Sequence, residues 1–189
     1  DGKNGTDNMI GGAGNDTYIV DNNADHVIEQ ENEGIDTVHT YVSYTLGQYV
    51  ENLTLMGNEN SAGTGNTLNN HLLGNAGKNR LIAWDGDDIL DGGADNDVLV
   101  GGQGNDIYRF ARDGASDLIF EDDVTPNNSD TLEIGENITS EQLWFARESD
   151  NLTIRIIGTD DNITITNHYR GSQYQIEQFK TANGKTLDV

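Results

Sequence analysis

The sequence contains no cysteine, a single proline and few basic residues, and each shortage excludes a class of protein. Without cysteine the chain has no disulfide framework, although secretion remains compatible with this composition. Ten Lys and Arg against 33 Asp and Glu give a formal net charge of −23, so no binding to nucleic acid is expected. No apolar run is long enough for a helix that spans a membrane.

The acidic residues are unevenly distributed along the chain. Residues 1–130 contain 24 acids and 5 bases, whereas residues 131–189 contain 9 acids and 5 bases. Such an excess of negative charge opposes compaction unless something neutralises it. The acidic region is therefore either disordered or built around cations. The sequence begins at Asp1 in the middle of a repeated pattern, so we interpret it as a fragment of a longer protein. A fragment of this kind is not expected to show a signal peptide.

A nine-residue repeat organises the acidic region. Residues 65–109 divide into GNTLNNHLL, GNAGKNRLI, AWDGDDILD, GGADNDVLV and GGQGNDIYR, with Asn or Asp sixth and Leu or Tyr eighth. GKNGTDNMI (2–10) and GGAGNDTYI (11–19) show the same pattern, and VDNNADHVI (20–28) keeps its acidic and apolar positions without the glycines. A fixed short period of this kind indicates a solenoid.

The pattern Gly-Gly-x-Gly-x-Asp-x-apolar-x is typical of calcium-binding β-helix repeats. The chain therefore resembles the RTX (repeats-in-toxin) family of haemolysin-type calcium-binding repeats. The resemblance implies an all-β, right-handed parallel β-roll with several Ca²⁺ ions held between its turns. A three-residue strand would bury the apolar side chain and a six-residue turn would reverse the chain, so two nonamers make one coil of 18 residues.

The spacing of the aspartates predicts which of them share an ion. Neighbouring strands lie about 4.8 Å apart and Ca²⁺–oxygen bonds measure about 2.3–2.6 Å, so an ion between stacked turns can contact both. Asp88–Asp106 and Asp7–Asp25 are 18 residues apart, whereas Asp97–Asp117 and Asp16–Asp36 are 20 apart and require a two-residue bulge. The predicted metal ligands, side chains and turn carbonyls together, are Asp7, Gly12, Gly14, Asp16, Asp25, Asp36, Ala83, Asp85, Gly86, Asp88, Gly92, Ala94, Asp97, Gly101, Gly102, Gly104, Asp106 and Asp117.

Two turns of the repeat carry Asn70 and Asn79 in place of aspartate. An amide oxygen can ligate Ca²⁺ but contributes no charge, so sites at these turns would be weak or empty. The alternative is a metal-free coil of the same roll, in which the Asn side chains hydrogen-bond their own turns.

Four regions are predicted along the chain. They are a first roll block (1–36), irregular spacer coils of the same solenoid (37–64), a second roll block with closing coils at Asp117 and Asp130 (65–130), and a β-rich C-terminal cap (131–189). In the spacer, the alternation over 37–46 predicts one half-buried strand, and 50–57 a second. The spacer YVSYTLGQYVENLTLMGNENSAGTGN resembles one that recurs between RTX blocks.

The cap is expected to cover the open end of the solenoid. Thr139 and Gln142 predict a capped helical turn, followed by strands at 151–157, 162–167, 174–180 and 185–189 and a hairpin at Asn183-Gly184. The predicted apolar cover is Trp144, Phe145, Ile154, Ile156, Ile165, Tyr169, Tyr174, Ile176 and Phe179. This segment resembles the related domain that follows RTX repeats in many such proteins.

No catalytic motif is present, and the chain is not expected to be an enzyme. HExxH, GxSxG and a Walker loop are all missing, and the four histidines are scattered. Trp84 is unusual because it occupies a glycine position of the repeat, where it should point outward as a surface aromatic or as a ligand contact.

We therefore expect a calcium-binding structural module of a larger secreted toxin-like or adhesin-like RTX protein. The resemblance implies an extracellular or bacterial cell-surface location, with folding on Ca²⁺ after passage through the type I secretion apparatus, and with the remainder of the polypeptide as its partner. The alternatives are an adhesin-type module that recognises a glycan, peptide or surface, and an accessory domain of a secreted lipase or protease.

Overall fold

A computed structural model of the chain describes residues 1–182 and 184–187. These residues form nineteen β-strands and two 3₁₀ turns, with no α-helix among them. The strands are β1 (Asn8–Ile10), β2 (Thr17–Val20), β3 (His26–Ile28), β4 (Thr37–Thr40), β5 (Tyr44–Thr45), β6 (Asn52–Leu55), β7 (Ser61–Thr64), β8 (His71–Leu73), β9 (Asn79–Asp85), β10 (Ile89–Asp91), β11 (Val98–Gln103), β12 (Ile107–Phe110), β13 (Ser116–Ile119), β14 (Thr131–Ile134), β15 (Leu143–Glu148), β16 (Asn151–Ile156), β17 (Asn162–Ile165), β18 (Gln178–Thr181) and β19 (Thr186–Leu187). The 3₁₀ turns span Ser140–Gln142 and Ser172–Tyr174. Within the described residues no helix is long and apolar enough to cross a membrane.

From β4 to β14 successive strands alternate between two sheets, which confirms the predicted parallel β-roll. One sheet has nine strands in the order β19-β18-β14-β12-β10-β8-β6-β4-β2, and the other has eight in the order β15-β16-β17-β13-β11-β9-β7-β5. β1 and β3 pair separately. The pairs from β2 to β14 and from β5 to β13 are parallel, as stacked coils require.

The strand register confirms the coil length predicted from the repeat. Ile89 pairs with Ile107, 18 residues on, whereas Val98 pairs with Leu118 at an offset of 20. The two added residues lie in the turn between β12 and β13, where Asp113 and Ala115 have φ values of 67° and 51°.

Each short strand contributes one inward apolar side chain to a continuous column. In the nine-stranded sheet Leu72, Leu90, Tyr108 and Leu132 lie in register, and each is fully buried. Burying a side chain of this size contributes about 1.5–3 kcal/mol, so the column supplies much of the favourable free energy of the roll.

The spacer contains four strands, β4 to β7, where two were predicted, and β7 is the strand without a counterpart in the prediction. The expected single strand over 37–46 is two strands, β4 and β5, because the chain bends at Tyr41 and Val42 to pass from one sheet to the other. The backbone N–H of Val42 donates to Thr40 Oγ1 at 3.1 Å and stabilises this bend. β4 and β6 nonetheless lie between β2 and β8 in the same sheet as the repeats.

The cap extends both sheets with antiparallel strands. β15, β16 and β17 join the eight-stranded sheet through the parallel pair β13–β17, and β18 and β19 extend the other sheet beyond β14. The predicted strand 174–180 begins only at Gln178, because a 3₁₀ turn occupies Ser172–Tyr174. The predicted turn after Thr139 is the first 3₁₀ turn, where the Thr139 N–H donates to Gln142 Oε1 at 3.0 Å.

The end of the chain is described in part. β18 and β19 form an antiparallel pair, as the hairpin prediction requires, but Asn183 lies outside the described residues. Of the strand predicted over 185–189, Thr186 and Leu187 form β19, and positions 188 and 189 are also outside the described residues.

The prediction of a buried apolar cover is wrong for two residues. Trp144 is 61% exposed, because it points away from the core on β15, next to the buried Leu143. Tyr169 is 37% exposed, and the Arg147 guanidinium lies 4.4 Å from the centre of its ring. Of the others, Ile154, Ile156, Ile165, Ile176 and Phe179 are buried, and Phe145 and Tyr174 are partly buried.

Candidate metal sites between stacked turns

The predicted aspartate pairs are brought together by one recurring contact. The backbone N–H of each sixth-position residue donates to a side-chain oxygen of the matching residue one coil further on. In the second block the Asp88 N–H lies 2.9 Å from Asp106 Oδ1, and the Asp97 N–H lies 2.9 Å from Asp117 Oδ1. The same contact joins Asp7 to Asp25 at 3.0 Å and Asp16 to Asp36 at 2.8 Å. All four pairs predicted from the spacing are therefore adjacent.

This carboxylate ladder continues beyond the residues predicted from the repeat. Additional steps are Asp36 N–H to Glu51 Oε2 (2.7 Å), Asp106 N–H to Asp130 Oδ1 (2.8 Å), Asp130 N–H to Glu177 Oε2 (2.8 Å) and Ala115 N–H to Asp161 Oδ1 (3.2 Å). The nine-residue period missed these acids because their spacings are irregular. Each of them directly precedes a strand and stands two residues before its first inward apolar side chain, and that local signal would have found them.

The second oxygen of several ladder carboxylates is buried without a hydrogen-bond partner. This is true of Oδ2 in Asp7, Asp36, Asp88, Asp97 and Asp106. The Asp88, Asp97 and Asp106 side chains are at most 1% exposed. Burying an unpaired anionic oxygen is strongly unfavourable, so these carboxylates require a cation or a proton in the folded chain.

Burial also changes the acidity of the ladder. It raises the pKa of Asp88, Asp97 and Asp106 to about 7, and that of Asp117 to about 8. The N–H donors of the preceding coil oppose this rise, and neighbouring carboxylates add to it. The bare ionised ladder is therefore an unfavourable state of the folded chain at neutral pH.

Glycine is required where the carboxylates fold back onto their own turns. A Cβ on Gly101 would lie 2.0 Å from Asp106 Oδ2, and one on Gly104 would lie 2.1 Å from the carbonyl oxygen of Gly86 in the coil before it. Gly104 also has φ +129°, which side chains disfavour. Carboxylate and carbonyl oxygens are thus packed closely at these turns, and an all-oxygen donor set suits a hard cation such as Ca²⁺.

The predicted carbonyl ligands fall into two structural groups. Gly12, Gly14, Gly86, Gly92, Ala94 and Gly104 lie in turns between strands, whereas Ala83, Asp85, Gly101 and Gly102 lie within strands. The second group lies within strands because β9 and β11 continue into the region predicted as a turn, where Gly102 pairs with Trp84. Part of the predicted donor set is therefore in paired strands.

The side-chain polar atoms of Asn70 and Asn79 are already hydrogen-bonded. Asn70 Oδ1 accepts the Asn66 N–H at 2.7 Å, and its Nδ2 donates to the Glu51 carbonyl at 3.1 Å. Asn79 Oδ1 accepts the Asn75 N–H at 2.6 Å. The hydrogen bonds of the metal-free alternative are thus present at both turns.

Two groups of three carboxylates stand out from the rest of the ladder. We name Asp16, Glu29 and Asp36 block-end site 1, and Asp106, Glu121 and Asp130 block-end site 2; in each, one oxygen per residue lies within 4.8 Å of the others. Burial, followed by the charge of Asp130, raises the pKa of Glu121 to about 9. Glu29, Glu121 and Asp130 were not among the predicted ligands. The sequence signal for the two glutamates is tyrosine at the eighth position of GGAGNDTYI and GGQGNDIYR.

Trp84 points outward, as predicted. It is 56% exposed and has φ +85°, which is unfavourable for a residue with a side chain. The histidines lie apart, in β3, β4, β8 and after β17, and do not form a common site.

Comparisons with known proteins agree with this geometry. The family described as RTX calcium-binding nonapeptide repeat (4 copies) matches residues 1–27, 64–99 and 85–110, and the haemolysin-type calcium binding protein related domain matches 151–189.

Among curated proteins, two from Rhizobium meliloti (strain 1021) are similar to part of the chain. Endo-1,3-1,4-beta-glycanase ExsH is 45% identical over 26% of this chain and 10% of its own length, and endo-1,3-1,4-beta-glycanase EglC is 38% identical over 35% and 14%. The iron-regulated protein FrpA of Neisseria meningitidis serogroup C is 30% identical over 43% of this chain and 8% of its own length. The matched segments thus span at most 14% of these relatives. The repeats, the β-roll and the related domain together place the chain in the RTX family of haemolysin-type calcium-binding repeat proteins.

Proposed function

We propose that the chain is a calcium-binding structural module of a larger secreted protein and that its roll folds when Ca²⁺ binds between stacked turns. The observation that carries this proposal is the set of buried, unpartnered carboxylate oxygens along the ladder. In folded proteins such atoms are almost always hydrogen-bonded or paired with a cation.

The proposed ligands are the aspartate pairs joined by the ladder, together with turn carbonyls. Asp88 with Asp106 and Asp97 with Asp117 would hold ions in the second block, and Asp7 with Asp25 and Asp16 with Asp36 in the first. The predicted carbonyls in the open turns, such as Gly86 and Gly104, are better placed to contribute than those within β9 and β11. The Asn70 and Asn79 turns are left without an ion in this proposal, because their side chains are already hydrogen-bonded.

Metal binding is coupled to folding through the same carboxylates. In the unfolded chain they are hydrated and far apart, whereas in the roll they are buried and stacked. Ca²⁺ supplies the positive charge that makes this burial favourable. Since it binds the folded state alone, it stabilises that state by about 2.7 kcal/mol per site at a free concentration 100 times its Kd.

This coupling suits a protein that leaves a low-calcium compartment. We propose that the chain stays largely unfolded before type I secretion and folds at the calcium concentrations outside the cell, where modules of this kind have Kd values of about 10⁻⁴–10⁻³ M. The location would be extracellular or at the bacterial cell surface, with the remainder of the polypeptide as the partner.

We also propose the four-region organisation of 1–36, 37–64, 65–130 and 131–189. The inclusion of β4–β7 in the sheets of the repeats supports treating the spacer as part of the solenoid. The antiparallel strands beyond β14 support a separate capping region.

A second candidate is an accessory domain of a secreted enzyme. The names of the two similar glycanases favour it, although the similarity covers no more than 35% of this chain for either. In that case a catalytic domain would lie in another part of the polypeptide, and the roll would have the same calcium-dependent role.

Circular dichroism during a Ca²⁺ titration, with reversal by EGTA, tests the main proposal. We expect coil without calcium and a cooperative β signal that appears at about 10⁻⁴–10⁻³ M. A chain that is equally folded in EGTA would contradict the coupling of binding to folding.

A glycan array in the presence of calcium tests the adhesin-type alternative. Calcium-dependent binding that Trp84→Ala abolishes would favour a ligand-binding module over a structural one. Trp144→Ala is the matched control, since that tryptophan is equally exposed but lies in the cap.

A further inference from the structure

Tyrosine replaces an aliphatic residue at the last complete repeat of each block. In GGAGNDTYI and GGQGNDIYR the eighth residues are Tyr18 and Tyr108, whereas the other units of the pattern carry Met, Val or Leu there. Both tyrosines are directed into the roll, with exposures of 4% and 0%. Their hydroxyl groups therefore need partners inside the roll.

In each block that partner is a glutamate from the next stretch of chain. The Tyr108 hydroxyl accepts the Gly101 N–H at 2.8 Å and donates to Glu121 Oε2 at 2.6 Å. The Tyr18 hydroxyl donates to Glu29 Oε1. Glu29 and Glu121 are only 7% and 3% exposed. The tyrosines thus hold both carboxylates inside the roll.

Each glutamate lies against one step of the ladder and completes a block-end site. The three carboxylates of each site have oxygens within 4.8 Å of one another. Among the described ion pairs none involves these carboxylates, which leaves their charge without a basic partner.

Residues of both sites carry buried oxygens without hydrogen-bond partners. In block-end site 1 they are Glu29 Oε2 and Asp36 Oδ2, and in block-end site 2 Asp106 Oδ2. These three side chains are 7%, 1% and 0% exposed, so solvent does not satisfy them. The arrangement occurs twice in one chain, at places with different local sequences and loop lengths.

The position of the sites explains why a third carboxylate is needed. Within a block, the next coil brings another glycine-rich turn whose carbonyls stack on the site. After Asp106 the next ladder residue is Asp130, 24 residues on, and the intervening chain lacks the glycine pattern. Glu121 supplies an oxygen where no such turn follows, and Glu29 does the same after the repeat that has lost its glycines.

We propose that both block-end sites bind Ca²⁺ and do so more tightly than the two-aspartate sites within the blocks, with Tyr18 and Tyr108 as positioning residues. This inference rests on the proposed calcium-binding function and assigns it two further ligands and an order of affinity. Affinity for Ca²⁺ rises with the number of charged ligands and with the rigidity of the site, and these sites have three carboxylates, one of them held by a buried hydroxyl.

Calorimetric titration of the full chain with CaCl₂ tests the proposal. Glu121→Gln preserves the shape of the side chain and removes its charge. We expect it to weaken one of the two tightest binding steps about tenfold, while block-end site 1 keeps its own tight step. Glu133→Gln is the matched control, because Glu133 is partly exposed in a surface pair with Arg109 and should leave every step unchanged. Glu29→Gln, with exposed Glu31 as its control position, repeats the comparison at block-end site 1.

Tyr108→Phe separates positioning from packing. It keeps the ring in the core and removes the hydroxyl, so we expect a roughly threefold to tenfold loss at the same tight step that Glu121→Gln weakens, with the other steps unchanged. A purely structural role would weaken all steps together. If Glu121→Gln does not fold in saturating calcium, Tyr108→Phe still tests whether block-end site 2 binds Ca²⁺ tightly.

The outcomes distinguish this inference from the function on which it rests. A wild-type chain that binds no Ca²⁺ at millimolar concentration would overturn the proposed function. If the wild-type chain binds Ca²⁺ and neither of its two tightest steps changes in Glu121→Gln, Glu29→Gln or Tyr108→Phe, the block-end sites alone are overturned.

Discussion

The repeat region and the cap differ in where they place their charged side chains. Residues 1–130 have a net charge of −19 and stack carboxylates inside the roll, whereas residues 131–189 have a net charge of −4. In the cap, charges pair at the surface, as Arg155 with Glu148 at 2.6 Å and Arg170 with Asp150 at 3.9 Å. Surface pairs contribute little to stability, so we expect the cap to depend mainly on its apolar core, and the roll to require neutralisation of its ladder in addition to its apolar column.

The two regions share their apolar interior. The inward column of the repeats continues from Leu132 on β14 to Phe179 on β18, and Ile119 on β13 pairs with Ile165 on β17. The cap is therefore an extension of the same sheets, and the described ladder steps reach it at Asp161 and Glu177. Calcium dependence should consequently follow the ladder and fade along the chain toward the C-terminus.

Removal of calcium should have the largest effect and should separate the two regions. In EGTA we expect the amides of Asp88, Asp97 and Asp106 to lose nearly all protection, because their acceptors are carboxylates that then repel one another. The antiparallel pair β15–β16 should keep more of its protection. Hydrogen exchange measured by mass spectrometry with and without Ca²⁺ checks this. Equal loss in both regions would contradict the comparison.

Asp106→Asn should give the next largest effect. It keeps the hydrogen bond to the Asp88 N–H and removes one buried charge, so the calcium midpoint of folding should rise about tenfold, equivalent to about 1.4 kcal/mol. Asp150→Asn in the cap is the control and should change the midpoint very little, since that side chain is about half exposed. Circular dichroism titrations of both variants measure the shift, and equal midpoints would refute the assignment.

Acidification should stabilise the calcium-free roll. The folded pKa of Asp88, Asp97 and Asp106 is about 7, above the ordinary value of 3.8, so between these values the folded state binds more protons than the unfolded state. Stability of the calcium-free chain should therefore fall as the pH rises from about 4 to 7. Circular dichroism of the chain stripped of calcium at several pH values measures the folded fraction, and a β signal that increases as the pH rises over that window would be the contrary result.

The sequence predicted the roll well because one short period determines both its strands and which aspartates lie next to each other. Asp88 and Asp106 could be paired from their separation alone, since each coil has the same length. Glu121 could not, because it acts through the Tyr108 hydroxyl and follows a turn of irregular length. Its place depends on how the chain packs after the repeat ends, which no local pattern records.

The cap was predicted less well for a related reason. Alternation of apolar residues indicated its strands but not which face would be covered, so Trp144 was expected to be buried and is exposed. In the repeats, the position of a residue within the nine-residue unit specifies whether its side chain points into the core. In an antiparallel extension it depends on which neighbouring strand is present.

The smallest predicted effect concerns the two exposed tryptophans, one in each region. Trp84 occupies a glycine position with φ +85°, a conformation that costs a residue with a side chain about 1–3 kcal/mol. Since the side chain is 56% exposed, Trp84→Gly should lose little packing and should stabilise the calcium-bound roll by about 1 kcal/mol or less, after the greater backbone entropy of glycine is subtracted. Trp144→Ala, on a regular cap strand, should change stability by about 0.5 kcal/mol or less. Urea unfolding in saturating Ca²⁺ compares the variants, and a destabilised Trp84→Gly would indicate that this indole makes a contact important for folding.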